Sequence, residues 1–218
     1  MYKFFLYSML LFLYLGLAKF LSPSEMGIDY LQNEKTFSKL ISGNHATAIL
    51  TDTHATGFLI KTFYQKYRII SGLTVEDRIF RTSKEFAKKN LTHIGLALYA
   101  KNSEIETTTP SLPGMIYVDD REYGYWKERK NGQIVWVFNK TYKHYPKYLG
   151  WGKYRPDELT FQKFRSHLLT GEAFLGLNNE FGPEGSITKK YFPQFFKVER
   201  KKKINLQTMM VQFFKENF

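Results

Sequence analysis

The chain has 218 residues, no cysteine and a formal net charge of +12, from 32 lysines and arginines against 20 acids. A content of 43% hydrophobic and 17% aromatic residues belongs to a chain that folds, and this length supplies one sizeable core or two small ones. The missing cysteine excludes disulfides, thiol catalysis and thiolate metal sites, while the positive balance favours anionic partners such as lipid headgroups, wall polymers or nucleic acid.

The first eighteen residues read MYKFFLYSMLLFLYLGLA. Lys3 precedes an uncharged run from Phe4 to Ala18, which closes on the small residues Gly16-Leu17-Ala18 before Lys19. This pattern predicts a secretory signal peptide or a membrane anchor over residues 1–18. A run of about 15 residues suits the apolar part of a signal and is short of the roughly 20 that a spanning helix wants. Phe20 and Leu21 extend it if Lys19 snorkels to the interface. Residues 19–196 then form an extracytoplasmic domain, in a bacterial periplasm or at a cell surface, secreted or anchored by the N-terminal segment. Residues 197–218 form a basic, amphipathic C-terminal segment.

Ser22-Pro23-Ser24-Glu25 reads as a helix entrance, and Leu31, Phe37, Leu40 and Ile41 continue at helical spacing to Ser42-Gly43. Short strands are expected at Ala46–Leu50, Gly57–Phe63, Tyr67–Ser71 and Thr74–Phe80, all rich in Ile, Leu, Thr and Phe. Thr82-Ser83 caps a short helix reaching Asn90, and His93–Ala100 is again strand-like. Residues 102–114 carry two prolines and many hydroxyls, which predicts a surface loop. Met115–Val118 reads as a buried strand. The runs Trp126–Glu128 and Gln133–Phe138 flank Arg129-Lys130-Asn131-Gly132, where Asn-Gly signals a hairpin with a type I′ turn. Arg155-Pro156-Asp157-Glu158 opens a helix with Phe161, Phe164 and Leu168 on its apolar stripe and Gly171 at its stop. Residues 178–185 are turn-rich. Lys197 to Lys203 is basic, and Leu206, Met209, Met210, Phe213 and Phe214 fall on one helical face beyond it. The sum is an α+β fold: a single domain with an antiparallel sheet and flanking helices, after an N-terminal signal peptide or membrane anchor.

Three features carry candidate chemistry. Between Tyr117 and Trp151, aromatic residues alternate with Arg121, Lys127, Arg129, Lys130, Lys140, Lys143 and Lys147. Such a segment stacks on a sugar or base while its cations hold an anion, or else forms a sheet core with its lysines in water. Trp126, Arg129, Lys130 and Trp136 are its binding candidates, and the two tryptophans lie nearly symmetrically about the expected turn. Asp119-Asp120-x-Glu122 follows a buried-looking run, and Asp119, Asp120 and Glu122 are the candidate catalytic carboxylates. Arg200, Lys201, Lys202 and Lys203 precede the amphipathic run and suit an anionic membrane surface or a partner's groove. His45, His54, His93, His144 and His167 show no metal-ligand spacing, so no metal and no cofactor is expected. Asn90-Leu91-Thr92 and Asn139-Lys140-Thr141 match the glycosylation pattern, which matters only in a eukaryotic secretory route.

His54-Ala55-Thr56-Gly57-Phe58-Leu59-Ile60 resembles the strand that opens trypsin-like proteases. That family places an Ala-His pair shortly downstream, where this chain reads Ile69-Ile70-Ser71-Gly72-Leu73. It also needs a Gly-x-Ser-Gly-Gly turn, and none occurs. The resemblance therefore implies no protease activity. Address, charge and the lack of a catalytic signature point to an exported or anchored envelope protein. Its expected role is binding or assembly towards an anionic membrane surface, an envelope polymer or another envelope protein, with nucleic acid ranked below these. The alternative expectation is an exported hydrolase acting on a glycan or other polymer through paired carboxylates.

Overall fold

The computed structural model describes residues 2–21, 27–57 and 61–202. Helix α1 (Tyr2–Leu21) comes first. None of its described side chains is buried, and Phe4, Phe5 and Phe12 are 82%, 72% and 71% exposed. Among the described residues no helix is long and apolar enough to cross a membrane.

The body of the protein is α+β. A six-stranded sheet has the order β1-β4-β3-β2-β5-β6, and a separate hairpin pairs β7 with β8. The strands are β1 (Tyr30–Leu31), β2 (Ala46–Thr56), β3 (Thr62–Ser71), β4 (Thr74–Thr82), β5 (Ala97–Lys101), β6 (Glu106–Thr107), β7 (Gly124–Glu128) and β8 (Ile134–Phe138). The sheet is antiparallel except at one edge, where β1 runs parallel to β4.

Strands β2 to β4 form one long meander in place of the four short runs expected. The tight corner at Gly72-Leu73 makes the β3–β4 register continuous: Ser71 pairs with Thr74, Gly72 has φ of 55°, and the Thr74 hydroxyl donates to the Ser71 carbonyl at 2.6 Å. A register shift between Leu50 and Asp52 makes Thr51 an extra residue in β2, and such a bulge sharpens local twist. Part of the run expected at Gly57–Phe63 falls on residues 58–60, outside the described residues.

Both faces of β2 are covered, because it lies between β3 and β5 in a sheet that is packed on each side. On one face Ala46, Ala48, Leu50, Tyr67, Ile69 and Phe80 meet Leu31, Phe37, Phe86, Ile94 and Phe195. On the other, Ile49, Ile70 and Ala100 join the larger core of Leu112, Met115, Tyr117, Trp136, Tyr145, Trp151, Phe164 and Phe181. The Thr47 hydroxyl, fully buried, donates to the Tyr117 hydroxyl at 3.1 Å and so ties the sheet to that core.

The helix expected up to Ile41 is not continuous. Leu31 belongs to β1, a single 3-10 turn covers Glu34–Thr36, and α2 is only Phe37–Leu40. The apolar spacing is met instead by a strand: Leu31 pairs with Thr82, and the Arg81 amide donates to the Asp29 carbonyl at 3.0 Å. The expected entrance at Ser22-Pro23-Ser24-Glu25 lies outside the described residues. Met115–Tyr117 is buried as expected but is a 3-10 turn, entered through Gly114 at φ of 77°. The stretch 102–114 is a surface loop only in its first half: it adds β6, and Ser111 and Leu112 are buried against Ala97 and the core.

Other local signals hold. Ser83 caps α3 (Lys84–Lys89) by accepting from the Phe86 amide at 3.0 Å. The strand expected at His93–Ala100 starts later, because a 3-10 turn takes Asn90–His93. A short helix α4 (Tyr145–Tyr148) leads into α5 (Glu158–Thr170), which ends at Gly171 with φ of 73°. Phe164 is buried and Phe161 and Leu168 pack against the same core. Helices α6 (Ser186–Tyr191) and α7 (Pro193–Lys202) close the described chain. Phe192 enters the larger core and Phe195 the smaller one, so this corner joins the two.

Candidate functional site

The hairpin places its two tryptophans directly opposite each other. Trp126 pairs with Trp136 in register, and their rings meet edge to face at 5.3 Å. The turn differs from the expected type I′: among its residues only Gly132 takes a positive φ, 78°, while the Gly132 amide donates to the Arg129 carbonyl. Trp136 is 1% exposed and packs on Trp126 and Phe138. Trp126 is half-buried and packs on Phe161. Most of the aromatic block is likewise core: Tyr117, Tyr123, Phe138, Tyr145 and Trp151 are buried, and burial pushes the Tyr117, Tyr123 and Tyr145 hydroxyls well above the usual tyrosine range.

The three acids after the 3-10 turn are separated by their hydrogen bonds. Asp119 sits at φ of 70°, and its carboxylate accepts from the Trp126 indole at 2.8 Å. The Asp120 carboxylate closes a local turn by accepting from the Glu122 amide at 2.9 Å. Glu122 turns away to accept from the Tyr142 hydroxyl at 3.3 Å. Asp119 and Asp120 border a cleft of about 370 Å³ with Glu104, Arg121 and Arg165, floored by Ile116, Phe161, Phe164 and Leu168. Glu122 does not line it. Glu104 and Arg165 come from distant stretches of chain, so their meeting had no local signal.

A second cleft, about 400 Å³, lies between α3 and the 108–110 segment. It holds the Glu34–Lys89 ion pair at 2.5 Å, His93 and the buried Asn90. His93 Nδ1 lies 3.1 Å from the Asn90 side-chain oxygen. Burial, with the neighbouring Lys89, holds the His93 imidazole below its usual value against the pull of Glu34. Burial of Asn90, at 2% exposure, also removes the first glycosylation candidate from the surface. The second candidate, Asn139, spends its amide on the Glu122 carbonyl at 2.6 Å. Among the described residues no cluster of three or more histidines and acids is placed to hold a metal ion.

The distribution of ion pairs is uneven. In the first half of the chain Lys66 and Arg68 share Asp77, Arg78 binds Asp29, Lys89 binds Glu34 and Lys101 binds Glu106. Between Lys127 and Arg165 there are ten lysines and arginines and three acids. None of those ten cations forms an ion pair with a described residue. Lys127, Arg129, Lys130, Lys140, Lys143, Lys147 and Lys153 are exposed. Arg129 and Lys130 occupy the turn at the tip of the β7–β8 hairpin. That turn is held beside the start of α5, because Gln133 donates to the Asp157 carboxylate at 3.3 Å and the Trp136 amide to the Pro156 carbonyl at 2.9 Å.

Of the C-terminal candidates, Arg200, Lys201 and Lys202 fall on α7, and Lys203 lies outside the described residues. Helix α7 begins at Pro193 and is docked by Phe195, so the basic run continues from a helix seated in the core. The expected apolar face from Leu206 to Phe214 also lies outside the described residues. Compared with known proteins, the chain matches no family model, no curated protein and no solved structure.

Proposed function

We propose that this chain is an exported or membrane-anchored envelope protein whose folded part binds an anionic partner: a membrane surface, an envelope polymer or an acidic face of another envelope protein. The observation that carries this reading is the run of ten cations from Lys127 to Arg165 without a carboxylate partner among the described residues, in a protein whose first half pairs many of its charges. Unpaired cations retain their full field, and a surface of one sign attracts and holds anions. The membrane address is supported by α1. Its described apolar side chains from Phe4 to Leu13 are exposed and belong to neither core, and a helix that is apolar all round is stable only against another apolar phase.

The alternative hydrolase has less behind it. A carboxylate pair must face one substrate bond, and here Glu122 is turned to Tyr142 while Asp119 is engaged by Trp126.

The test uses full-length protein and poly(glycerol phosphate) over a salt series. The triple variant K140E/K143E/K147E is expected to weaken binding about tenfold or more and to flatten its salt dependence. The charge-matched variant K39E/K84E/K88E, on the other half of the molecule, is expected to change binding by no more than about threefold. Equal losses in both would reduce the effect to net charge and overturn the assignment of this surface.

A further inference from the structure

Within the basic surface, one arginine differs from its exposed neighbours. Arg155 is half-buried, at the end of the loop that leads into α5. That loop is pressed against α6: Gly152 has φ of 57°, and a side chain there would fall 1.5 Å from the Tyr191 hydroxyl. The folded-back loop offers its own carbonyls to the guanidinium. Arg155 Nη1 donates to the Gly152 carbonyl at 2.8 Å and to the Tyr154 carbonyl at 2.5 Å. A guanidinium has five N–H groups in a fixed plane. Both on Nη1 are therefore engaged, and Nε and Nη2 have no partner among the described residues. Neither atom is sealed from solvent.

Those two nitrogens form one edge of the guanidinium, which matches two oxygens of a phosphate or carboxylate side-on. Pinning Nη1 fixes the plane in advance, so little rotamer freedom is lost when an anion docks. Charges of both signs lie near this loop: Glu180 and Asp157 act on the adjacent Tyr154 hydroxyl, while a cation acts on Arg155 itself. Arg129 lies close enough for its charge, after burial, to help press the Arg155 pKa downward. Lys153 is exposed two residues away, and Lys190 Nζ lies 5.7 Å above the Tyr191 ring that covers Gly152. The nearest acid in sequence, Asp157, is committed to Thr160 and Gln133.

We infer that Arg155 forms a phosphate subsite: a phosphoryl group docks on its Nε–Nη2 edge, with Arg129, Lys153 and Lys190 supplying the surrounding charge. Several cations about one fork suit a phosphomonoester, with up to two charges and three free oxygens, better than a carboxylate, and a phosphodiester still offers the fork its two non-bridging oxygens. This subsite rests on the anion-binding reading and narrows it to one chemistry.

The test follows the Arg155 Nε–H resonance in full-length protein, with R155K serving to assign the peak. Glycerol 3-phosphate is titrated first, then vesicles of phosphatidylglycerol against phosphatidylcholine. A saturable shift of that resonance, with affinity reduced about tenfold in R155K and unchanged in K84Q, on the other half of the molecule, is the expected result. Saturation by glycerol 3-phosphate marks a free or polymer-borne phosphate as the source, and a shift confined to phosphatidylglycerol vesicles marks a lipid headgroup. R155K keeps the charge and loses the fork, together with the Nη1 brace on the Gly152 and Tyr154 carbonyls. If it binds phosphate like the parent, or the resonance stays still while exposed lysines shift, the subsite is wrong and the wider basic surface stands. If the parent shows no salt-dependent binding to poly(glycerol phosphate) either, both readings fall. Should R155K not fold, the shift in the parent protein alone decides.

Discussion

Asp157 joins the helix that floors the first cleft to the hairpin that carries Arg129, and its replacement can be worked through from the structure. Its carboxylate accepts from the Thr160 amide at 2.9 Å and the Thr160 hydroxyl at 2.7 Å, which caps α5. The second oxygen accepts from Gln133 at 3.3 Å. Loss of an N-cap acceptor costs about 1 kcal/mol. The long, exposed Gln133 bond adds about 0.5 kcal/mol. D157A is therefore expected to lose about 1.5 kcal/mol, a drop of about 3–6 °C in Tm for a chain of this size. D157N keeps an oxygen for Thr160 and is expected to lose only a few tenths of a kcal/mol.

The charge adds a pH signature to the same comparison. Burial pushes the Asp157 carboxyl up, but the hydrogen bonds from Thr160 and Gln133 outweigh it, so its folded pKa lies below the ordinary carboxylate value. A group depressed in the folded state contributes fully above its unfolded pKa, about 3.9, and that contribution disappears as pH falls through the folded value. The gap between parent and D157A should thus be constant from pH 7 to about 5 and narrow below about pH 4. Thermal unfolding at pH 7, 5 and 3 measures it. A D157N loss as large as that of D157A, or a D157A melt within about 1 °C of the parent, would refute the cap as the source of the stability.

Two further outcomes follow from burial. Trp136→Ala is expected to cost about 3–5 kcal/mol in urea unfolding, against about 1–2 kcal/mol for Trp126→Ala, because only Trp136 is enclosed. The reverse order would return Trp136 to a surface role. His93 is held below its usual pKa by burial and Lys89. The unfolded chain therefore takes up a proton there first, and stability should fall as pH drops below about 6.5. His93→Gln should flatten the pH 7 to 5 stability profile, and an unchanged profile would mean that His93 titrates alike in both states.

Much of the fold is legible locally. The hairpin around Asn131-Gly132 needs little more than strand formers on either side of a turn, and the structure sets Trp126 opposite Trp136. The α5 stop at Gly171 and the Ser83 cap of α3 are likewise settled within a few residues. Failures came where a distant partner decided. Leu31 to Ile41 has a helical rhythm, but parallel pairing of Leu31 with Thr82 draws it into the sheet. Met115–Tyr117 is apolar enough for a strand, yet an enclosing core satisfies a 3-10 turn as readily, and among the described residues the segment joins neither sheet.

The candidate sites divide along the same line. Composition alone established a basic chain with an apolar start, because charge and hydropathy are sums that need no geometry. The sequence also showed aromatics and cations interleaved from Tyr117 to Trp151, but left open which of them water reaches. Only the tertiary structure decided that Trp136 is core, that Glu122 turns from Asp119, and that Arg155 is braced by the Gly152 and Tyr154 carbonyls with one edge free of partners among the described residues. Whether a charge is spent or available depends on which distant groups arrive within about 4 Å of it, and that is a property of the packed chain.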